Sequence, residues 1–301
     1  MIISASRRTD IPAFFVDWFF NRVNEGFLLV RNPMNLHQIS RINLSPEVVD
    51  CIVFWSKNPQ KMINRLEILK QYSFYFQFTI TGYGQRLEPN VPSYQEAINT
   101  FSVLSKLIGK ERLIWRYDPI ILTNELDVNY HVNNFENIVK QLHGKTCRCV
   151  ISFVDMYKKT MRNMSSFKIS DITTKKIVEL SVILNNICSK YGLELTSCAE
   201  VVDLSVYGIK HGKCIDDKLI EEISGYTLNV EKDPTQRPEC GCIASVDIVA
   251  YNTCAHECLY CYANYSHALV HSNYAAHNPD SPLLFGNVGP KDKIYERKIL
   301  S

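Results

Sequence analysis

The chain has 301 residues, and its 33 lysines and arginines against 31 aspartates and glutamates give a formal net charge of +2. This length fits one large domain or two modest ones, and either can bury a sizeable core. The near-neutral balance gives no chain-wide reason to expect a nucleic-acid or membrane-surface protein. Because the sequence has no apolar run of the ~18–20 residues that a membrane span needs and no apolar signal-peptide core, we expect a cytoplasmic protein without membrane contact.

Short β-branched and aromatic runs predict six buried strands in the first 200 residues. Segments with apolar residues at helical spacing separate these runs, for example Ile98, Phe101 and Leu104. Alternating strands and helices pair in parallel through right-handed crossovers, so the predicted fold class is α/β. The predicted strands are 2–4, 51–55, 74–80, 112–117, 150–154 and 193–196.

Two architectures fit six such units: a partial or complete (β/α) barrel, and an open doubly wound sheet. A barrel collects the loops after all its strands at one rim, whereas an open sheet concentrates its ligand groups at one switch point. Polar residues follow several different strands, which favours the barrel. We expect a barrel domain over residues 1–200, with a cap and cysteine-rich segment over residues 201–301 folded over the barrel rim. The polar residues in question are Asp10, Lys57, Asp118, Asp155 and Glu200.

Eleven cysteines are the unusual feature of the composition, and seven of them lie from Cys198 onward. An odd number in a reducing compartment argues against a disulfide scaffold. Thiolates grouped this tightly usually hold a metal ion or an iron–sulfur cluster. The other four lie in apolar strand or helix patterns, which predicts buried and unreactive thiols; these are Cys51, Cys147, Cys149 and Cys188.

Cys254, Cys258 and Cys261 form a Cys-x3-Cys-x2-Cys sequence. Three thiolates can bind three irons of a 4Fe–4S cube and leave the fourth iron without a protein ligand. A structural zinc site needs four ligands, and His256 inside the loop could supply the fourth. We favour the open cluster, with His256 as a solvated loop residue.

The cluster segment resembles the cluster loop of the radical S-adenosylmethionine superfamily, with the aromatic Tyr260 just before the last cysteine. Its Cys-x-Tyr-Cys-Tyr-Ala string is similar to that of spore photoproduct lyase-like members. The strings Ser-Ala-Ser-Arg-Arg-Thr-Asp-Ile-Pro-Ala-Phe and Phe-Trp-Ser-Lys-Asn-Pro occur with it. Together they resemble an uncharacterised bacterial family known as a domain of unknown function, over nearly the whole chain. The superfamily usually places this loop after its first strand, whereas here it follows all six.

The resemblance implies an enzyme that binds S-adenosylmethionine at the open iron and produces a 5′-deoxyadenosyl radical for an unknown substrate. We also expect a reducing electron donor such as flavodoxin or ferredoxin. Because the loop is displaced, only the three cysteines and Tyr260 carry over as site residues. The alternative is a zinc- or iron–sulfur-stabilised binding protein without radical chemistry. Nucleic acid is not favoured as a partner, since few lysines interleave with the aromatic residues after the loop.

Two further groups of residues are candidates for binding or catalysis. Arg7, Arg8 and Asp10 follow the first strand, where they could bind a carboxylate, a phosphate or the ribose of the cofactor. They could equally form a surface ion-pair cluster, or a helix N-terminus in which Asp10 caps the segment that begins at Pro12. Candidate catalytic residues stand at the ends of later strands, with Cys198 able to donate a hydrogen atom to a substrate radical; these are Cys198, Glu200 and Asp118.

Cys198, Cys214, Cys240 and Cys242 form a second candidate metal-binding set. Four thiolates could close a second 4Fe–4S cluster or a structural zinc site. The Cys-x-Cys spacing of the last two is tighter than the common zinc-finger spacing, which favours iron–sulfur. The alternative is that Cys198 and Cys214 merely pack.

Overall fold

The computed structural model of the chain describes residues 1–297. Its strands and helices are, in chain order, β1 Ile2–Ser4, α1 Ile11–Phe14, α2 Val16–Glu25, β2 Phe27–Asn32, β3 Asn35–Asn43, β4 Cys51–Ser56, α3 Gln60–Ile63, β5 Phe74–Thr79, α4 Tyr94–Ile108, β6 Leu113–Ile120, α5 Val128–Leu142, β7 Arg148–Phe153, α6 Lys158–Asn163, α7 Thr174–Lys190, β8 Glu194–Ser197, β9 Lys210–His211, α8 Asp217–Ser224, β10 Val246–Asp247, α9 His267–Ala275 and β11 Lys293–Glu296.

Eight of these strands form one parallel sheet in the order β10–β1–β4–β5–β6–β7–β8–β9. The six predicted strands are all present as β1 and β4 to β8, so the α/β class is confirmed. The expected partial or complete barrel is confirmed only as an α/β fold with a parallel sheet; within residues 1–297 no pairing joins the edge strands β9 and β10, so no closed barrel is shown. Each edge strand has only two residues, which leaves little backbone to close a barrel.

The large helices between the strands begin at side-chain caps that the sequence supplies. Ser93 accepts the N–H of Glu96 while the Glu96 carboxylate accepts the N–H of Ser93, which forms a capping box at the start of α4. Asp127 caps α5 by accepting the N–H of Tyr130. These caps start each helix directly after a loop from the carboxyl end of a strand, which keeps the helices antiparallel to the sheet.

The two faces of the sheet are covered by different parts of the chain, because successive strand residues point to opposite sides. Phe54, Phe76 and Trp115 lie on the face that packs against the large helices and are fully buried. Tyr75 and Ile114 lie on the other face, where they pack against the segment 214–243. Full burial of each such large side chain contributes roughly 1.5–3 kcal/mol. The cysteine-bearing segment is therefore part of the core of the sheet.

A second, three-stranded sheet in the order β11–β3–β2 was not predicted from the sequence. The antiparallel pair β2 and β3 lies between β1 and β4 in the chain, and β11 adds to it in parallel. Most of β3 and all of β11 are partly or fully exposed, so no clear apolar alternation marks them. β9 and β10, which also lacked a signal, come from the predicted segment 201–301 but join the main sheet.

No helix among residues 1–297 has both the length and the apolar composition needed to cross a membrane.

Candidate functional site

A cavity of about 360 Å³ lies at the carboxyl ends of the main-sheet strands. Parallel strands end at a common edge, so residues that follow different strands meet there. Both predicted cysteine sets line this cavity, together with Arg7, Arg8, Asp10, Asp118 and Tyr260. In the described part of the chain, Glu200 is the predicted site residue that the cavity wall lacks. Its carboxylate accepts the N–H of Phe153 at 2.7 Å, and burial raises its pKa to about 7.

The thiols of Cys254, Cys258 and Cys261 share one wall of the cavity. All three are partly buried and lie in an irregular loop after β10. Burial raises the pKa of Cys254 and of Cys258, and the nearby Cys261 thiol raises both further. Thiols in such surroundings hold their protons until a metal displaces them. The loop therefore presents three neighbouring soft ligands to one space.

A buried network anchors the loop through Tyr260. The Tyr260 hydroxyl donates to the Glu88 carboxylate, which also accepts from Lys57 Nζ at 2.8 Å and from Thr81 Oγ1 at 2.8 Å. Burial opposes ionisation of Glu88, but the Lys57 ammonium outweighs it and lowers the pKa of that carboxyl. The Tyr260 ring is 9% exposed and its hydroxyl is engaged, so this residue positions the loop. Glu88 has no motif around it, so nothing in the sequence marks it as part of the site.

A second buried pair holds the loop from the other side. Asp10 accepts from His256 Nε2 at 2.8 Å, Ser56 Oγ at 2.7 Å and the N–H groups of Lys57 and Ala13 at 2.7 Å and 3.0 Å. The last of these bonds caps α1, as one of the two sequence interpretations of Asp10 proposed. Four donors fill the carboxylate, so Asp10 links the loop to β1 and β4.

His256 is 2% exposed, so the prediction of a solvated loop residue is wrong. Its Nδ1 lies 3.2 Å from the carbonyl oxygen of Asn90, and its Nε2 faces Asp10. Each ring nitrogen therefore lies within hydrogen-bonding distance of an oxygen atom. Neither nitrogen is left for a metal. The alternative in which His256 completes a zinc site is not supported by this geometry.

Unusual backbone conformations occur beside the cysteines. Among residues 1–297, three that are not glycine have positive φ: Asn252 at 57°, Glu257 at 56° and Ala199 at 53°. Each lies within two residues of a predicted cysteine ligand. A left-handed conformation costs a residue with a Cβ about 1–2 kcal/mol and persists only where its surroundings require it. Such residues are typical of ligand-binding loops.

The second cysteine set also comes together. Cys198 Sγ lies 3.0 Å from Cys214 Sγ, and Arg116 Nη1 donates to Cys214 Sγ at 2.9 Å. Hydrogen bonds from the thiols of Cys198 and Cys242 lower the pKa of Cys214 well below its ordinary value, and Arg116 adds to this effect. A hydrogen bond with Cys242 lowers the pKa of Cys240 to about 6. The 3.0 Å contact fits both a metal-binding set and the alternative in which Cys198 and Cys214 merely pack.

Arginines and aromatic rings form the remaining walls. The Arg7 guanidinium lies 5.7 Å from the Trp55 ring centre, and that of Arg8 lies 4.7 Å from the ring centre of Tyr251. Arg8 also pairs with Asp247 at 3.4 Å.

Both carboxylate oxygens of Asp118 are already paired, which makes this side chain poorly suited to act as a catalytic acid. It pairs with Arg116 at 2.7 Å and accepts the Ser152 hydroxyl. Arg237, which pairs with Asp155 at 2.9 Å, adds a further charged pair to the wall.

The four remaining cysteines were predicted to be buried. Cys51, Cys149 and Cys188 are buried, as expected. Cys147 is exposed because it lies in the turn before β7 rather than in the strand itself, so that prediction was wrong.

Among residues 1–297, no group of three or more Cys, His, Asp or Glu side chains is already arranged to hold a metal ion. The donor chemistry of the cysteine loop nevertheless fits an iron–sulfur cluster. Cys254, Cys258 and Cys261 are soft ligands that border a cavity, and the one imidazole inside the loop is engaged elsewhere. Three ligands beside open space match a cluster with one free iron better than a closed zinc tetrahedron.

A family model described as Domain of unknown function (DUF1848) matches residues 2–263. The matched stretch includes both cysteine sets and ends two residues after Cys261. Comparison of the sequence with curated proteins finds no match.

Proposed function

We propose that this chain, which belongs to the DUF1848 family, is a radical S-adenosylmethionine enzyme with its cluster on Cys254, Cys258 and Cys261. The observation that carries the proposal is that these three thiols border a cavity at the carboxyl ends of six strands. When bound there, a 4Fe–4S cluster would supply reductive cleavage of S-adenosylmethionine to methionine and a 5′-deoxyadenosyl radical. The eight-stranded sheet would then serve as a partial barrel around the cluster.

One buried ion pair and one buried hydrogen bond would keep the three thiols in place. Lys57 with Glu88 holds Tyr260, between Cys258 and Cys261, while His256 with Asp10 holds the stretch between Cys254 and Cys258. Packed side chains and hydrogen bonds behind metal ligands fix their orientation and are usually needed for full affinity. The Lys57 ammonium also opposes the effect of burial on Cys258 and favours its thiolate form.

The rest of the cavity suits a molecule that combines a carboxylate with an aromatic base. A volume of about 360 Å³ is within the usual range for small-molecule sites. Arg7 and Arg8 present guanidinium groups, which bind carboxylates in a bidentate manner. Trp55 and Tyr262 provide rings against which a flat base can stack. The reaction consumes an electron, so a reducing protein such as flavodoxin or ferredoxin is part of the proposal.

Cluster content tests the ligand assignment. After anaerobic reconstitution, the wild type should hold about four irons and four sulfides at this site. The triple variant Cys254→Ala/Cys258→Ala/Cys261→Ala should hold none there, whereas Cys147→Ala, which removes an exposed thiol in the turn before β7, should match the wild type. A triple variant that keeps the cluster would overturn the assignment. Zinc in place of iron on these three cysteines would favour the binding-protein alternative.

A further inference from the structure

We propose that Cys198, Cys214, Cys240 and Cys242 bind a single tetrahedral metal ion, with Zn²⁺ as the ion that this ligand set fits best. These four ligands are distinct from the three-cysteine loop, although both sets line one cavity, and the proposal does not rest on the radical chemistry. Four thiolates with no other ligand form one of the closed sets that structural zinc takes.

Three separate segments of the chain supply the four thiols. Cys198 follows β8, Cys214 follows β9, and Cys240 and Cys242 share a turn before β10. The Cys198 and Cys214 sulfurs are 3.0 Å apart, and Cys242 Sγ accepts the N–H of Ile215, the residue after Cys214, at 3.4 Å. Cys214, Cys240 and Cys242 belong to one buried cluster, and all four residues line the same cavity.

Two glycines allow the segments that carry these cysteines to lie close together. A Cβ at Gly212 would lie 2.8 Å from Thr196 Oγ1 and 3.1 Å from the carbonyl oxygen of Ser197, so no side chain fits there. Gly241 likewise lies against the residues just before Cys214, with Lys213 Cγ at 3.2 Å from the position of a Cβ. The Cys214 carbonyl is fixed to the sheet by Tyr75 and Gln77, which donate at 2.6 Å and 3.0 Å.

The spacing of the sulfurs favours one ion over a cluster. Thiolates bound tetrahedrally at about 2.3 Å from zinc lie about 3.8 Å from one another. The thiolates of a 4Fe–4S cube are much farther apart, because each binds a different iron. The observed 3.0 Å between Cys198 and Cys214 needs only about 1 Å of side-chain movement to reach the zinc geometry. On this distance we favour zinc over the iron–sulfur centre that the Cys-x-Cys spacing indicated.

The surrounding charges complement such a centre. A Zn²⁺ ion with four thiolates has a net charge of 2−, and a buried charge of this kind needs compensation. Arg116 donates to Cys214 Sγ at 2.9 Å and is 5% exposed. Arg7 borders the same cavity, close enough to Cys242 and Cys214 to interact with both. The Ile215 N–H donates to Cys242 Sγ at 3.4 Å, a contact that stabilises a bound thiolate.

The ion would clamp the segment 214–243 onto the sheet. Binding releases the thiol protons to solvent and couples metal affinity to folding. The expected role is therefore structural: the metal fixes the floor of the cavity and the position of Arg116.

Cobalt binding to the full chain, prepared metal-free under anaerobic conditions, tests the site. Co²⁺ in a tetrathiolate tetrahedron gives intense visible and near-ultraviolet bands, so the spectrum reports both geometry and ligand type. We expect about one Co²⁺ per chain, displaced by Zn²⁺, in the wild type. The same binding should occur in Cys254→Ala/Cys258→Ala/Cys261→Ala, which removes the proposed cluster ligands and leaves this set intact. Cys240→Ser/Cys242→Ser should lose it.

Each other outcome counts against the proposal. Binding that disappears in the triple alanine variant but persists in Cys240→Ser/Cys242→Ser would place the metal elsewhere. The protein as isolated could contain a Cys198–Cys214 disulfide. If the reduced protein then binds no cobalt, these cysteines are a redox pair and not a metal site. If Cys240→Ser/Cys242→Ser fails to fold, the wild-type spectrum and the triple variant still decide, because a spectrum without tetrathiolate bands refutes the site. Absence of cobalt binding would refute this site only, because the cluster on Cys254, Cys258 and Cys261 is tested separately by its iron content.

Discussion

The ion pair between Glu88 and Lys57 gives the sharpest prediction about stability. Their side chains are 4% and 14% exposed, and Nζ lies 2.8 Å from Oε1. Glu88→Gln keeps the shape of the side chain but leaves a buried ammonium without a counter-charge. Breaking a buried pair in this way costs about 3–5 kcal/mol, which is a large fraction of the free energy of unfolding of most domains. The Tyr260 hydroxyl loses a carboxylate acceptor as well.

Urea denaturation of the wild type and variants, followed by tryptophan fluorescence, measures this cost. Glu125→Gln is the matched control, since Glu125 pairs with Arg86 at 2.6 Å but both side chains are about two-thirds exposed. Its loss should be below about 1 kcal/mol. The double variant Lys57→Met/Glu88→Gln removes the unpaired charge and should recover most of the stability. If Glu88→Gln costs no more than Glu125→Gln, the reasoning is refuted.

The surroundings of two buried histidines, His131 and His256, give further predictions. Burial lowers the pKa of His131 to about 4, so the unfolded chain takes up a proton first as the pH falls. Above the ordinary histidine pKa of about 6.5, His131 should cause no loss in the free energy of unfolding, and toward pH 4 this free energy should decrease by up to about 3 kcal/mol. His131→Gln should remove this part of the pH dependence in urea titrations. Asp10→Asn removes a carboxylate that bonds to His256, Ser56 and Lys57 and so ties the loop to the sheet, so alkylation of the Cys258 thiol in metal-free protein should become about tenfold faster through local opening.

Both tests have internal controls. Unchanged acid sensitivity in His131→Gln would show that other groups set the pH dependence. For Asp10→Asn, the exposed Cys147 should react at an unchanged rate. Equal acceleration at Cys147 and Cys258 would mean global destabilisation rather than a loosened loop.

The main sheet was predictable because its strands are buried. Continuous β-branched and aromatic runs marked β1 and β4 to β8, and the polar residues after them marked the edge where the cavity lies. The three-stranded sheet was not predictable, because exposed strands such as β11 lack an apolar pattern. The sequence did not show whether the sheet closes into a barrel either, because closure would require pairing between β9 and β10, which have two residues each.

The sequence predicts candidate ligands for the site but not the residues that hold them in place. The spacing of the cysteines along the chain is enough to single out both sets. The residues that hold them could not be found, because their partners are far away in the sequence: Asp10 with His256 is 246 residues apart, and Glu88 with Tyr260 is 172 apart. The burial of His256 depends on that pairing, which explains why a solvated loop was expected. The choice between zinc and iron–sulfur for the second set depends on a sulfur–sulfur distance, which spacing alone does not fix.

Production of 5′-deoxyadenosine tests whether the protein cleaves S-adenosylmethionine to a radical, as we propose. Reconstituted protein is reduced with dithionite under anaerobic conditions, incubated with S-adenosylmethionine and analysed by liquid chromatography and mass spectrometry. The account predicts 5′-deoxyadenosine and methionine from the wild type and from Cys147→Ala, and none from Cys258→Ala. Wild-type protein that carries a full cluster yet yields no 5′-deoxyadenosine, or equal yields from the wild type and Cys258→Ala, would contradict the account.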